Sequence, residues 1–169
     1  MGINNSRSWF ALVVKSQSEF KAEEELNNLG VQSYLPVTIA IRKWSDRKKE
    51  ISVPIIKGYI FIYASEKERL YSLEQNSIVK CLFDGGRPAA IPEWQIENLK
   101  KILEYKSEVI VENYLVAGDS VKIIEGPFEG VVGILQSSGK ERTLSVSIDL
   151  IHRSVVVHLS SESVAKALD

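Results

Sequence analysis

The chain has 169 residues and is poor in those that do covalent and metal chemistry, with one cysteine and two histidines. A single thiol cannot close an internal disulfide, so the fold must rest on packing. Cys81 lies in the apolar run Ile78-Val79-Lys80-Cys81-Leu82-Phe83 and reads as a reduced core thiol. His152 and His158 both fall late in the chain, and no Cys, His and Asp spacing suited to a metal accompanies them. There is no apolar run approaching the roughly 18 residues of a membrane span, and no basic-then-apolar leader with a small-residue cleavage site. These absences predict a cytoplasmic protein with no membrane segment, metal or cofactor. Gly85-Gly86-Arg87-Pro88 lacks the strand, lysine and helix of a phosphate-binding loop. Glu23, Glu24 and Glu25 read as the solvated face of a helix, not as paired catalytic carboxylates, so no enzyme is expected.

What is present is ordinary for a globular chain. With 44% hydrophobic and 25% charged residues, it can bury one moderate core and one small one. Charge is uneven: 16 basic and 13 acidic residues stand through Lys106, against 5 and 9 beyond it. A basic front suits nucleic acid and an acidic tail suits protein, although solvated surface charge on any soluble protein gives the same split.

The front half reads as alternating strands and helices. Trp9 to Lys15 is an apolar strand. Ser16, three residues before Glu19, has capping-box spacing for a helix with Phe20, Leu26 and Leu29 inward and Gly30 at its end. Val31 to Val37 predicts a strand. Thr38 to Trp44 alternates, and Asp46-Arg47-Lys48-Lys49 predicts a charged turn leading to Ile51 and Val53. That is a hairpin with a basic tip. Gly58 to Ala64 is nearly continuous in apolar residues, as in a central strand covered on both faces. A helix over Glu66 to Gln75 with Leu70 and Leu73 inward, a strand over Ile78 to Phe83, and a helix from Pro92 to Lys106 carrying Ile96, Leu99 and Leu103 complete this half.

Mixed charges and β-branched residues from 108 to 115 read as a linker. Beyond it, Gly118-Asp119-Ser120-Val121-Lys122-Ile123-Ile124-Glu125-Gly126-Pro127 describes an alternating strand and a Gly-Pro turn, and Gly130 and Gly133 permit a sharp bend. Strands are expected at Val131 to Gln136, Leu144 to Ile148 and Val155 to Leu159, with a helical turn within Ser161 to Leu168. The length suits a five-stranded SH3-like barrel.

The Gly118 to Leu135 segment resembles the KOW motif. Trp9-Phe10-Ala11-Leu12-Val13-Val14-Lys15 and Pro54-Ile55-Ile56-Lys57-Gly58-Tyr59-Ile60-Phe61 resemble landmarks of the NusG N-terminal (NGN) domain, and they occur in the same order. The chain thus resembles the NusG/RfaH superfamily over nearly its whole length, most of all the specialised UpxY-type antiterminators. The resemblance implies an α+β protein: an NGN α/β sandwich with a mainly antiparallel sheet over residues 1–107, a linker over 108–115, and a small KOW β-barrel over 116–169.

It also implies a non-enzymatic transcription elongation and antitermination factor that suppresses pausing and termination in long operons. Val13, Tyr59 and Phe61 match positions that contact the clamp helices of the RNA polymerase largest subunit. Read from the residues alone, Tyr59 and Phe61 equally fill a core between sheet and helix. Lys15 and Lys21 match a face that meets the non-template DNA strand. Arg42, Lys43, Arg47, Lys48 and Lys49 extend the basic surface, with Trp44 as a stacking ring, although such a tip also reads as solvated surface. Glu25 departs from RfaH, which has a DNA-facing histidine there, and Val53 departs from an acidic residue of its interdomain contact. The β-branched, serine-rich tail favours a barrel over the helical tail of RfaH. Ile151 stands where NusG has an exposed aromatic, and implies docking of a small-subunit ribosomal protein or Rho; a turn packed on its own barrel is the alternative. A general housekeeping NusG, a ribosome-associated KOW protein and a purely structural module are the rival readings.

Overall fold

A computed structural model describes residues 5–105 and 107–169. The chain divides into two compact units, one ending at Pro92 and the other beginning at Glu93.

The first unit contains β1 (Ser8–Val14), α1 (Glu19–Asn28), β2 (Gln32–Tyr34), β3 (Val37–Lys43), β4 (Lys48–Pro54), β5 (Tyr59–Ala64), α2 (Glu66–Leu73), β6 (Ile78–Cys81), β7 (Phe83–Asp84), β8 (Arg87–Pro88) and β9 (Ala90–Ile91). Its main sheet runs β2-β5-β1-β6, and β9 shares the outer edge of β1 with β6. Every pairing in it is antiparallel. The two inner strands, β1 and β5, are the most apolar segments of the chain, as burial on both faces requires. On one face Phe10, Leu12, Val14, Ile60, Ile62 and Ala64 pack with Ala22 and Leu26 of α1, Cys81 of β6 and, at the margin, Leu73 of α2. Full burial of each large aliphatic side chain there contributes about 1.5–3 kcal/mol.

The helices differ from expectation in their ends and faces. Helix α1 starts at Glu19 behind Ser18, which makes no side-chain cap. The Glu19 carboxylate instead accepts from the Gly58 N–H at 3.0 Å. Phe20 and Leu29 are exposed, leaving Ala22 and Leu26 to anchor the helix. The capping box lies at α2: Glu68 N–H donates to Ser65 Oγ, and Ser65 N–H donates to Glu68 Oε2 at 2.7 Å. Leu70 is exposed, and Arg69 and Ser72 take the buried positions.

The second unit contains α3 (Glu93–Glu104), β10 (Val109–Glu112), β11 (Asp119–Glu125), β12 (Val132–Ser138), β13 (Glu141–Ile148), a 3-10 turn (Asp149–Ile151), β14 (Arg153–His158) and β15 (Val164–Ala167). Its strands form one antiparallel sheet ordered β10-β14-β13-β12-β11-β15. Val121, Ile123, Val131, Leu144, Val146, Ile148, Val155 and Val157 fill its core. Apart from the 3-10 turn, the regular elements after α3 are strands, in line with the β-branched runs there.

Three expectations are corrected here. Residues 108–115 are not a free linker: Val109 to Glu112 pair with β14, and the Ser154 hydroxyl donates to Tyr114 O and accepts from Val116 N–H. The sheet therefore has six strands where five were expected. Residues 164–167 form a strand on the edge of β11, where unpaired backbone groups offer a better partner than an isolated helical turn. Finally, α3 groups with the second unit, although the resemblance placed it in the first. Asn98 donates to Val132 O at 2.8 Å and accepts from Val132 N–H, while Gln95 donates to Asp149 Oδ2 and accepts from Asp149 N–H. Two buried amides thus hold the helix to the strands.

The Gly-rich reading of the barrel holds in geometry. Gly126 adopts φ +108 at its turn. A Cβ on Gly133 would lie 2.5 Å from Ser145 O, so only glycine lets β12 and β13 approach there.

Candidate functional site

The second face of the β1–β5 pair carries the proposed protein contact. In an antiparallel ladder directly opposed residues share a face, and the register sets Trp9 against Tyr63, Ala11 against Phe61 and Val13 against Tyr59. Trp9 and Tyr63 rings lie 5.5 Å apart. Burial varies along this face, and Tyr63 at its far end is half-buried. Trp9, Ala11 and Phe61 are sealed, with Phe61 at 0% exposure, while Val13 and Tyr59 are half-buried and Lys15 beyond them is exposed.

Phe61 is therefore corrected: its ring has no surface to offer a partner and serves as packing beneath the open end. The physical reason is its place at the middle of an inner strand, opposite Ala11, where alternation only chooses between two covered faces. Val13 and Tyr59 remain as an adjacent, half-open pair. The loop leading into Tyr59 is fixed by the Gly58 N–H bond to Glu19 and by Val14 N–H donating to Gly58 O at 2.9 Å.

The basic residues gather on the β3–β4 ribbon, a two-stranded sheet of its own. Its base is anchored by Val37 against the core and by Ile55 N–H donating to Pro36 O. Every residue from Ile41 to Glu50 is exposed. The turn is tighter than expected: Trp44 N–H donates to Arg47 O at 2.7 Å, leaving Ser45 and Asp46 at the tip. Lys48 and Lys49, expected in the turn, become strand residues, because pairing continues to the end of the ribbon. Lys43 stands opposite Lys48, and Arg42 opposite Lys49. The strand alternation puts Arg42, Trp44, Arg47 and Lys49 on one face and Ile39, Ile41, Lys43 and Lys48 on the other. Lys49 Nζ lies 5.0 Å and Arg47 Cζ 5.9 Å from the Trp44 ring centre. Such cation–π contacts contribute about 0.5–1 kcal/mol each at an exposed site.

Lys15 directly follows β1 and Lys21 lies on α1; both are exposed, away from the ribbon in sequence. Glu25, beside them in sequence, accepts from Ser77 N–H at 3.1 Å and so braces the loop after α2.

Ile151 is also corrected. It is 4% exposed, packed in the 3-10 turn, and Arg153 Nη1 donates to its carbonyl at 3.0 Å. His152, in the left-handed region at φ 51, is exposed, as is Asp149 at the start of that turn. An apolar residue flanked by polar ones fits an exposed tip and a buried turn equally well, and only the backbone conformation decides.

The electrostatically defined groups are structural. Glu68 accepts from Arg7 Nε and Nη2 at 3.0 and 2.9 Å as well as from Ser65 N–H, and these bonds, Arg7 first, hold its carboxyl below the ordinary range. Glu66 is lowered by its hydrogen bond from Arg69. Burial pushes the Cys81 thiol up. Among the described residues no group of three or more His, Cys, Asp or Glu is placed to hold a metal, and no helix is long and apolar enough to cross a membrane.

Sequence reading missed Gln95 and Asn98, because a polar residue on a helix gives no sign that a backbone edge lies beside it. It also missed the like-charge register of the ribbon. The near-symmetry of Arg42-Lys43 and Lys48-Lys49 about Ser45-Asp46 was the available signal.

Comparison with known proteins bears on the whole chain. A family model described as "Transcription termination factor nusG" matches residues 7–100. The transcription termination/antitermination protein NusG of Rickettsia typhi is 26% identical over 96% of this chain and 92% of its own length. The protein of the same name from Chlamydia trachomatis is 26% identical over 86% of this chain and 81% of its own. A solved structure described as "Domain interaction in Thermotoga maritima NusG" superposes with a TM-score of 0.53 at 22% identity, covering 94% of this chain and 96% of that one, a likeness of fold. With the family match spanning more than half of the residues, the chain belongs to the NusG family.

Proposed function

We propose that the protein is a non-enzymatic transcription elongation factor that binds the clamp helices of RNA polymerase in the cytoplasm, suppresses pausing and termination in long operons, and recruits a second machine, a small-subunit ribosomal protein or Rho, through its barrel. The observation that carries this reading is the half-open Val13–Tyr59 pair at one end of a sheet face whose middle, at Ala11 and Phe61, is sealed. A rigid aromatic beside a branched aliphatic is the kind of anchor that dominates protein interfaces. The basic ribbon, with Lys15 and Lys21, supplies the contact to DNA.

The experiment is capture of purified RNA polymerase by the full chain and by Tyr59→Ala, with circular dichroism confirming the fold. Capture should fall at least about tenfold, the loss expected when a buried aromatic anchor is truncated. Undiminished capture by a folded variant refutes the clamp contact. A second reading, general housekeeping NusG, is favoured by the match to relatives of that name over nearly their full length. Deletion of the gene separates the two: slowed transcription across the genome supports the general factor, and loss of expression confined to one long operon supports the specialised one.

A further inference from the structure

The β3–β4 ribbon carries cations on both of its faces. Lys43 and Lys48 face one way, Arg42, Arg47 and Lys49 the other, and two of the cross-strand pairs set like charges directly opposite. Such pairs destabilise an isolated ribbon. The acids within the ribbon are Asp46 at the tip and Glu50, which shares the Lys43 face, and among the described residues neither forms an ion pair with these five cations. Both faces thus keep an excess of positive charge.

The shape narrows the choice. A single strand passing over a ribbon meets one face; phosphates must stand on two sides to meet both. The major groove of B-DNA is about 12 Å wide, lies between two phosphate rows and admits a two-stranded β-ribbon. The deep, narrow major groove of duplex RNA does not. Trp44, 52% exposed, has Lys49 and Arg47 beside its ring, which gathers two of these cations at one end of the ribbon. We propose that the ribbon inserts into the major groove of duplex DNA, its two faces meeting opposite phosphate rows. This rests on the nucleic-acid contact proposed above, and narrows it from DNA in general to the duplex.

The test uses the full chain and fluorescence anisotropy with a labelled DNA duplex, the same strand alone, and the corresponding RNA duplex, from about 50 to about 200 mM salt. Four phosphate contacts would lower duplex affinity about a hundredfold over that range. Lys43→Gln with Lys48→Gln, and separately Arg42→Gln with Lys49→Gln, should each lower the salt slope on the DNA duplex by about two, with circular dichroism unchanged. Tighter or equal binding of the single strand or of the RNA duplex overturns the proposal while leaving the nucleic-acid contact standing, and so does a slope that responds to one pair alone. No salt-dependent binding to any of the three overturns both.

Discussion

Two antiparallel strand pairs in the first unit obey the same hydrogen-bonding rules and have opposite fates. β1 and β5 oppose apolar residues over most of their length and are buried apart from half-open positions at Ser8, Val13, Tyr59 and Tyr63, whereas β3 and β4 oppose cations at their tip and are exposed from Ile41 to Glu50. In the first pair the neighbouring strands set the register, because a one-residue slip would exchange two apolar faces but break the pairing to β2, β6 and β9. In the second the turn sets it, and the side chains are free to be chosen for an outside partner. A strand pair whose outer half, from Ile41 to Glu50, lies outside the core is where a small domain can carry function at little cost to folding.

The sharpest way to break this contrast is to empty the sealed pair. Phe61→Ala should destabilise the protein by about 3–5 kcal/mol in denaturant titrations, and a loss below 1 kcal/mol would show that the ring is not the packing element it is taken to be. A smaller effect is expected where α2 leaves β5. Ser65→Ala removes one half of the capping box and should cost about 1 kcal/mol. Glu68, the other half, has a depressed carboxyl pKa in the folded state. Its contribution is therefore complete above the ordinary carboxylate range and disappears as pH falls through the depressed value. Melting temperatures of the wild type and Glu68→Gln should differ at neutral pH and converge in acid. Smallest and of opposite sign, Lys43→Thr with Lys48→Thr should raise stability by up to about 1 kcal/mol by relieving one like-charge pair. A loss of stability there would show that the cations support the ribbon itself.

Much of this was legible in the residues. The inner strands, the basic hairpin and the β-rich tail follow from apolar runs and alternation, and Gly126 and Gly133 sit where a turn and a close approach require them. The failures share a cause, since each depended on a neighbour remote in sequence. Phe61 and Tyr59 lie on one face with the same spacing, yet one is sealed and the other half-open. Ser16 has the spacing of a cap, but Gly58, thirty-nine residues beyond Glu19, takes the carboxylate. Residues 108–115 look irregular until β14 arrives beside them.

The lone thiol of Cys81, 4% exposed on β6 against the principal core, makes the folded chain nearly silent to alkylating reagents. Its rate of modification would time the opening of that sheet, and a second cysteine placed on the ribbon could carry a reporter dye without any residue first being removed.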